Sequence, residues 1–463
     1  DYCVSRGLGD VYKRQHIEEV KMSNLENVSA EDLKNPDYVP PLQIGIILGL
    51  QHVLAMFVSN VTPSIIIAGV AGFAFGSADT VFLIQMSMLF AGIATLMQTI
   101  GFGPVGARLP VMQGTSFAFV PVMIGAAKVG MGTLFGAIVI GGIFHAFLGT
   151  IIGKIRHWFP PLVSGIIILA IGIYLIPVGI EYAAGGAGDF NMSKPTWGGI
   201  GNWSLAIIVI VVSFGLKFWT KGIVSSSSVL LGMIVAYIIA AVMGIVSFAG
   251  VTNAAWFALP EPFKYGFDIN LTIIIAMCLM SIVSAIETVG DISGIAKGGA
   301  NREATDKEIQ GGTYADGIGT AIAGVFGGLP NTSFSQNVGL ISMTGVMSRR
   351  VVTIAAIFLI LCGLVPKIGA LVSSMPIAVL GGGVIVMFGM VASAGINMLS
   401  GVDWNKRNMM IFAISLSIGF GLQKVPSSVA GLGGEMQMLL TSGLLPAAFL
   451  AVLLNIILPQ EDK

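Results

Sequence analysis

LPNTSFSQNVGLISMTGV, residues 329–346, lies between two long apolar runs and decides how the rest of the chain is read. Its neighbours place it at membrane depth. Pro330, Asn331, Thr332, Ser333, Ser335, Gln336 and Asn337 make it a poor lipid-facing helix. An unpaired backbone or amide group in hydrocarbon costs several kcal/mol. Such a segment therefore persists only when it is buried in protein or lines a polar cavity. Gly339 and Gly345 are expected to allow close backbone approach. The stretch reads as a broken membrane segment that presents backbone N–H groups and an amide side chain to a small polar ligand.

Outward from it, the composition is that of a membrane protein. Of 463 residues, 55% are hydrophobic and only 10% charged, against about a quarter charged in soluble domains. Repeated runs of about 20 apolar residues imply a polytopic helical chain. Zero net charge gives no sign of a nucleic-acid partner. Cys278 and Cys362 sit inside apolar runs and Cys3 stands apart, so neither a disulfide framework nor a metal site is expected. Residues 1–15 (DYCVSRGLGDVYKRQ) lack an apolar core and read as a non-native leader, with Met22 as the natural start; residues 1–40 together form a polar cytoplasmic tail.

Fourteen membrane segments are expected, near 43–71, 80–100, 109–127, 132–153, 159–180, 203–219, 228–250, 267–289, 309–326, 329–346, 351–368, 376–398, 405–422 and 439–458. With both termini inside, eighteen of the 23 Lys and Arg residues fall on the cytoplasmic side and five outside, a strong positive-inside bias. An internal repeat agrees. Leu109-Pro110 precedes Thr115-Ser116-Phe117, and Leu329-Pro330 precedes Thr332-Ser333-Phe334, with the triplets 217 residues apart. Each triplet falls in the third segment of a seven-segment half. Seven is odd, so the halves insert with opposite orientation. Paired interrupted segments of this kind point to a transporter's central site.

Gln336-Asn337-Val338-Gly339, with Thr344 five residues after the Gly, resembles the signature of the nucleobase–ascorbate transporters, the nucleobase:cation symporter-2 family. The resemblance covers about residues 40–460. It implies an all-α membrane fold of two inverted seven-segment repeats, with segments 3 and 10 broken by short extended stretches. It also implies a core domain (41–158 and 267–374), a gate domain (159–250 and 375–460), and a homodimer in the plasma membrane.

Site residues follow from the same reading. Glu287 ends the apolar run AMCLMSIVSAIE, and a carboxylate there must face the bundle interior. Asp291 lies one turn on, on the same face. Glu287-x-x-x-Asp291 resembles the motif of purine-selective members, whose Glu accepts from ring N–H groups. By the resemblance Gln336 is the second ligand position, and its amide can both donate and accept. The backbone N–H groups of Phe117 and Ser335 would complete the site, with Phe117 also stacking on the base. A small Ser116 would leave room for uric acid. Asp316 is assigned to proton coupling or site support, His52 to orienting the site, and Asn337 to bonding the broken backbone. His145 and His157 read as packing and loop residues. Ser59-Asn60-Val61-Thr62-Pro63 is more polar than the usual family wording, which leaves the coupling ion less defined.

The expectation is a secondary active importer of xanthine or uric acid, driven by H⁺, with Na⁺ left open and no cofactor. The core would slide against the gate. No GxxxxGK[ST] motif is present for ATP, and no catalytic motif stands out, so an enzyme is not expected. The rivals are a uracil or other nucleobase permease, a sulfate-class anion transporter of the same fold, and, least favoured, a channel or membrane sensor.

Overall fold

A computed structural model describes residues 34–155, 160–187 and 189–459 of the chain. The leader at residues 1–15, Met22 and His157 lie outside the described residues. Apolar runs form helices where expected. α1 spans Leu42–Val70 and α2 spans Ala78–Ile100. The start of α2 is capped by the Ser77 side chain, which accepts from the Thr80 N–H; at its end Gly101 takes φ +73°. Inside α1, Pro63 has no N–H to offer the Ser59 carbonyl one turn back.

The third segment is broken as the polar stretch foretold. It begins as β1 (Gln113–Thr115) and ends as the half-helix α3 (Val120–Val129). Then come α4 (Met131–Ile155), α5 (Pro161–Ala184), α6 (Ile200–Trp219) and α7 (Ser228–Val242). The second half opens with α8 (Leu271–Ala300) and α9 (Asp306–Val325). It breaks at β2 (Asn331–Ser333) followed by α10 (Ser335–Thr344). It closes with α11 (Arg349–Leu364), α12 (Pro366–Ser373), α13 (Ile377–Leu399), α14 (Lys406–Lys424), α15 (Gly434–Thr441) and α16 (Leu444–Ile457).

By length and hydropathy, seven of the described helices can cross a membrane alone, or nine when each bent pair (α11 with α12, α14 with the turn Pro426–Leu432) counts as one span. The other expected segments are the two broken ones, the short α7 and α16, and the glycine-rich α9. Hydropathy undercounts these because their length or apolarity is given up to packing and to the break.

β1 and β2 are strands from opposite halves that meet antiparallel. Gln113 pairs with Ser333, Gly114 with Thr332 and Thr115 with Asn331. The Ser116 N–H donates to the Pro330 carbonyl at 2.8 Å, and the Phe334 N–H to the Met112 carbonyl at 3.0 Å. Moving each residue on by the 217-residue spacing of the Thr-Ser-Phe triplets exchanges the strands and returns the same register, so the repeat seen in the sequence is a two-fold relation about this crossing. Side-chain donors and acceptors brace the strands. The Gln113 N–H donates to Thr95 Oγ1 and the Asn331 N–H to Thr320 Oγ1. Asn60 Oδ1 accepts from the Thr115 N–H at 2.8 Å, which gives the polar Asn60 a reason to stand in α1.

At Gly114 the crossing is tight. A Cβ there would lie 2.6 Å from the Phe334 ring and 2.7 Å from Met56. Gly114→Val is expected to destabilise the folded protein by about 1–3 kcal/mol through overpacking. The check is thermal unfolding of the detergent-purified protein; an unchanged midpoint would show that the strands can separate freely.

Helix pairings fall into two groups. In one, α4 packs on α9 and α8, and α2 on α11 and α1; in the other, α5 packs on α13, α6 on α7 and α13, and α14 on α16. Basic residues assigned to opposite faces meet opposite ends of α2. Arg349 donates to the Thr99 carbonyl and pairs with Asp37, whereas Lys264 lies over the Phe82 ring.

Two expectations need correction. α8 does not end near Glu287; it continues to Ala300, so Glu287 is mid-helix. The apolar run stops there because the rest of α8 packs small and polar residues against protein, not because the helix stops. Gly339 allows no close backbone approach: nothing lies within 4 Å of where its Cβ would be. Gly345 instead ends α10 with φ +68°.

Candidate functional site

A cavity of about 350 Å³ lies between the two helix groups, near the lower end of the roughly 300–1,000 Å³ seen for small-ligand sites. One wall comes from α1 (Leu54, Val58, Ser59), Phe117, Glu287, β2 and α10; the other is apolar at its centre, with Ile168 and Ile171 from α5 and Met387 and Met390 from α13, and polar at one edge, with Lys217, Ser227 and Ser228. The half-helices exist because the strands before them end at the crossing. α10 therefore starts at the cavity; the Asn337 N–H donates to the Phe334 carbonyl at 3.0 Å, and the Ser335 and Gln336 N–H groups before it have no preceding turn to donate to.

Glu287, Gln336, Phe117 and Ser335 are brought together on this cavity. Glu287 is half-buried. The Thr332 hydroxyl donates to its carboxylate, and the Ser284 hydroxyl in turn donates to Thr332. Glu287 Oε2 has no partner among the described residues. The Gln336 amide lines the cavity one residue into α10. The Phe117 ring stands edge-on to Phe388 of α13 at 5.2 Å, so its face and its setting are held by the opposite helix group.

The remaining acids hold the frame. Asp291 accepts from Ser333 Oγ at 2.7 Å and Ser335 Oγ at 2.8 Å, tying α8 to the break in the tenth segment. Asp316 is fully buried and accepts from Gln98 at 2.7 Å, from Gln113 at 2.6 Å and from the Thr288 hydroxyl, joining α9 to α2, β1 and α8. Three donors at one carboxylate make it a clamp on the crossing. His52 is buried behind the cavity. Asn337 Nδ2 donates to the His52 carbonyl at 3.1 Å and lies 3.0 Å from its Nδ1. The backbone that Asn337 bonds thus belongs to α1 and not to the broken segment as expected.

Ser116 is also placed otherwise than expected. It is buried beside β1, its hydroxyl lacks a partner, and it does not line the cavity. Its neighbour Phe117, where the chain bends between β1 and α3, faces the cavity. His145 is buried in α4 with both ring nitrogens unpartnered.

Sequence reading missed Thr332 and the clamp residues Gln98 and Gln113, although amides inside apolar segments were the signal available. It also missed the apolar wall, which no local pattern marks.

Residues 43–428 match the Xan_ur_permease family model, described as a permease family. The chain is 37% identical to the uric acid transporter UacT of Escherichia coli (strain K12), over 94% of this chain and 90% of that one. It is 35% identical to the xanthine permease of Bacillus subtilis (strain 168), over 89% and 92%. The transmembrane domain of a cyanobacterium bicarbonate transporter, BicA, has the same fold, with a TM-score of 0.55 at 14% identity over 90% of this chain and 97% of that one.

Proposed function

Because this chain belongs to the Xan_ur_permease family of permeases, a multi-pass membrane protein and not an enzyme, we propose that it imports purine bases, xanthine or uric acid, with H⁺. One observation carries the reading: a carboxylate and an amide without protein partners to saturate them share a small cavity with the start of a half-helix. An oxopurine offers ring N–H donors to Glu287 and a carbonyl–N–H edge to Gln336, while backbone N–H groups take an exocyclic oxygen. The relatives that transport uric acid and xanthine support this choice of substrate.

The elevator reading rests on where the cavity lies. One wall belongs to the helices around the strand crossing, which Asp316, Asp291 and Asn60 bind into a unit. The centre of the other wall is apolar side chains from α5 and α13, which make no hydrogen bonds of their own to hold it in place. Core and gate domains, fourteen segments, a homodimer, a plasma-membrane location and cytoplasmic termini complete the reading. An anion carrier is the second reading because the fold is shared with a bicarbonate transporter. Sulfate has no ring N–H to offer the Glu287 carboxylate and only charge to set against it.

The test is uptake of labelled xanthine and uric acid by cells expressing the protein, with uracil and sulfate as competitors. Accumulation is expected to stop when a protonophore collapses the proton gradient. Accumulation that persists under the protonophore and vanishes without Na⁺ would overturn the proton assignment. Competition by sulfate but not by purines would overturn the substrate class.

A further inference from the structure

We propose a second, weaker ligand subsite at the mouth of the same cavity, on the opposite helix group, that takes the anionic form of an oxopurine as it leaves Glu287. The proposal rests on the transport reading above. Its elements are the start of α7, Ser227 and Lys217.

Ser227 is the N-cap of α7, a 15-residue helix. A Ser at this position ordinarily accepts from the second or third helical N–H. Here it makes no side-chain cap bond. Its hydroxyl is unpartnered although the residue is only 2% exposed, and it lines the cavity. Beyond it Ser228, Val229 and Leu230 also line the cavity, and their N–H groups, the first three of α7, have no intrahelical acceptor. Free N–H groups and a free buried hydroxyl together favour an oxyanion.

Charge supports the same placement. Among the described residues lining the cavity, Glu287 and Lys217 are the ionisable ones. They lie on different helix groups, α8 and α6, and carry opposite sign. Gln51 of α1 donates to Ser226 Oγ at 3.3 Å, in the short helix Gly222–Ser226 that runs into α7 beside the same mouth. A neutral base gains nothing at Lys217. Uric acid is a monoanion at neutral pH, with charge spread over its oxygens. It is disfavoured beside an ionised Glu287 and favoured beside Lys217 and the start of α7. The subsite would therefore draw an anionic base out of the central site and leave a neutral base, hypoxanthine, unaffected.

The experiment measures labelling of Ser226→Cys, the half-buried neighbour of Ser227 on the same cavity, by a small thiol reagent on purified protein. It is run in a Glu287→Gln background, which disables the central site, with Cys3, Cys278 and Cys362 replaced by Ser. Uric acid is expected to slow labelling, hypoxanthine to have no effect, and Lys217→Gln to weaken the protection roughly two- to fivefold in concentration, the upper range of one exposed charge contact. Lys217→Arg should retain it. Equal protection by both bases, or none by uric acid, would overturn the subsite; monodisperse elution of each variant guards against misfolding. Protection by uric acid in a protein whose wild type transports no purine would keep the subsite and overturn the transport reading.

Discussion

Glu287→Gln is expected to abolish purine uptake while leaving the amount of folded protein in the membrane near normal. Glutamine has the same shape and can still accept from Thr332, so the Ser284–Thr332 chain beneath it survives. What changes is the face toward the cavity. The carboxylate offers only acceptors to ring N–H groups, whereas the amide places a donor against a donor. Hydrogen bonds to a charged group are worth about 1.5–3 kcal/mol, so affinity should fall roughly 10- to 100-fold. The variant also removes a group at the cavity that can carry a proton with the base. Uptake normalised to protein in the membrane is the measurement. Near-normal uptake would take Glu287 out of the site.

The second large effect is on selectivity. Gln336→Glu is expected to weaken xanthine binding at least roughly tenfold, about 1.4 kcal/mol, the scale of one lost hydrogen bond. The substitution deletes the amide donor and sets a second carboxylate on a cavity that already holds Glu287. A site built to pair with both a carbonyl and an N–H discriminates strongly, because a mismatched ligand leaves buried groups unpaired. Folding should be spared. The Gln336 side chain has no hydrogen-bond partner among the described residues, and the ties that hold α10 run through Ser335 and Asn337. The measurement is competition by xanthine, uric acid, hypoxanthine and uracil on both proteins. An unchanged rank order with unchanged affinities would show that Gln336 does not touch the base.

The sequence by itself determined the class of protein and pointed to residues that the fold brings together on one cavity. Hydropathy reports on the solvent a segment must face, so long apolar runs, polar interruptions at 113–117 and 330–337, and an acid at Glu287 could be read one residue after another. The repeated Thr-Ser-Phe triplet even foretold the two-fold relation of the strands. The partner of a buried polar group, in contrast, is chosen by proximity in space. Asp316 was assigned to coupling or support, and only the fold shows it accepting from Gln113, 203 residues away, and from Gln98. Ser116 and Phe117 are adjacent in the chain, yet only Phe117 lines the cavity, because the chain bends there between β1 and the half-helix α3. Met387, Met390, Ile168 and Ile171 form the second wall, and each looks like any lipid-facing residue until the two helix groups are set against each other. Apolar side chains carry no signature of their neighbour, since burial against protein and burial against lipid are nearly the same to them. Tertiary packing alone decided which of them close the site.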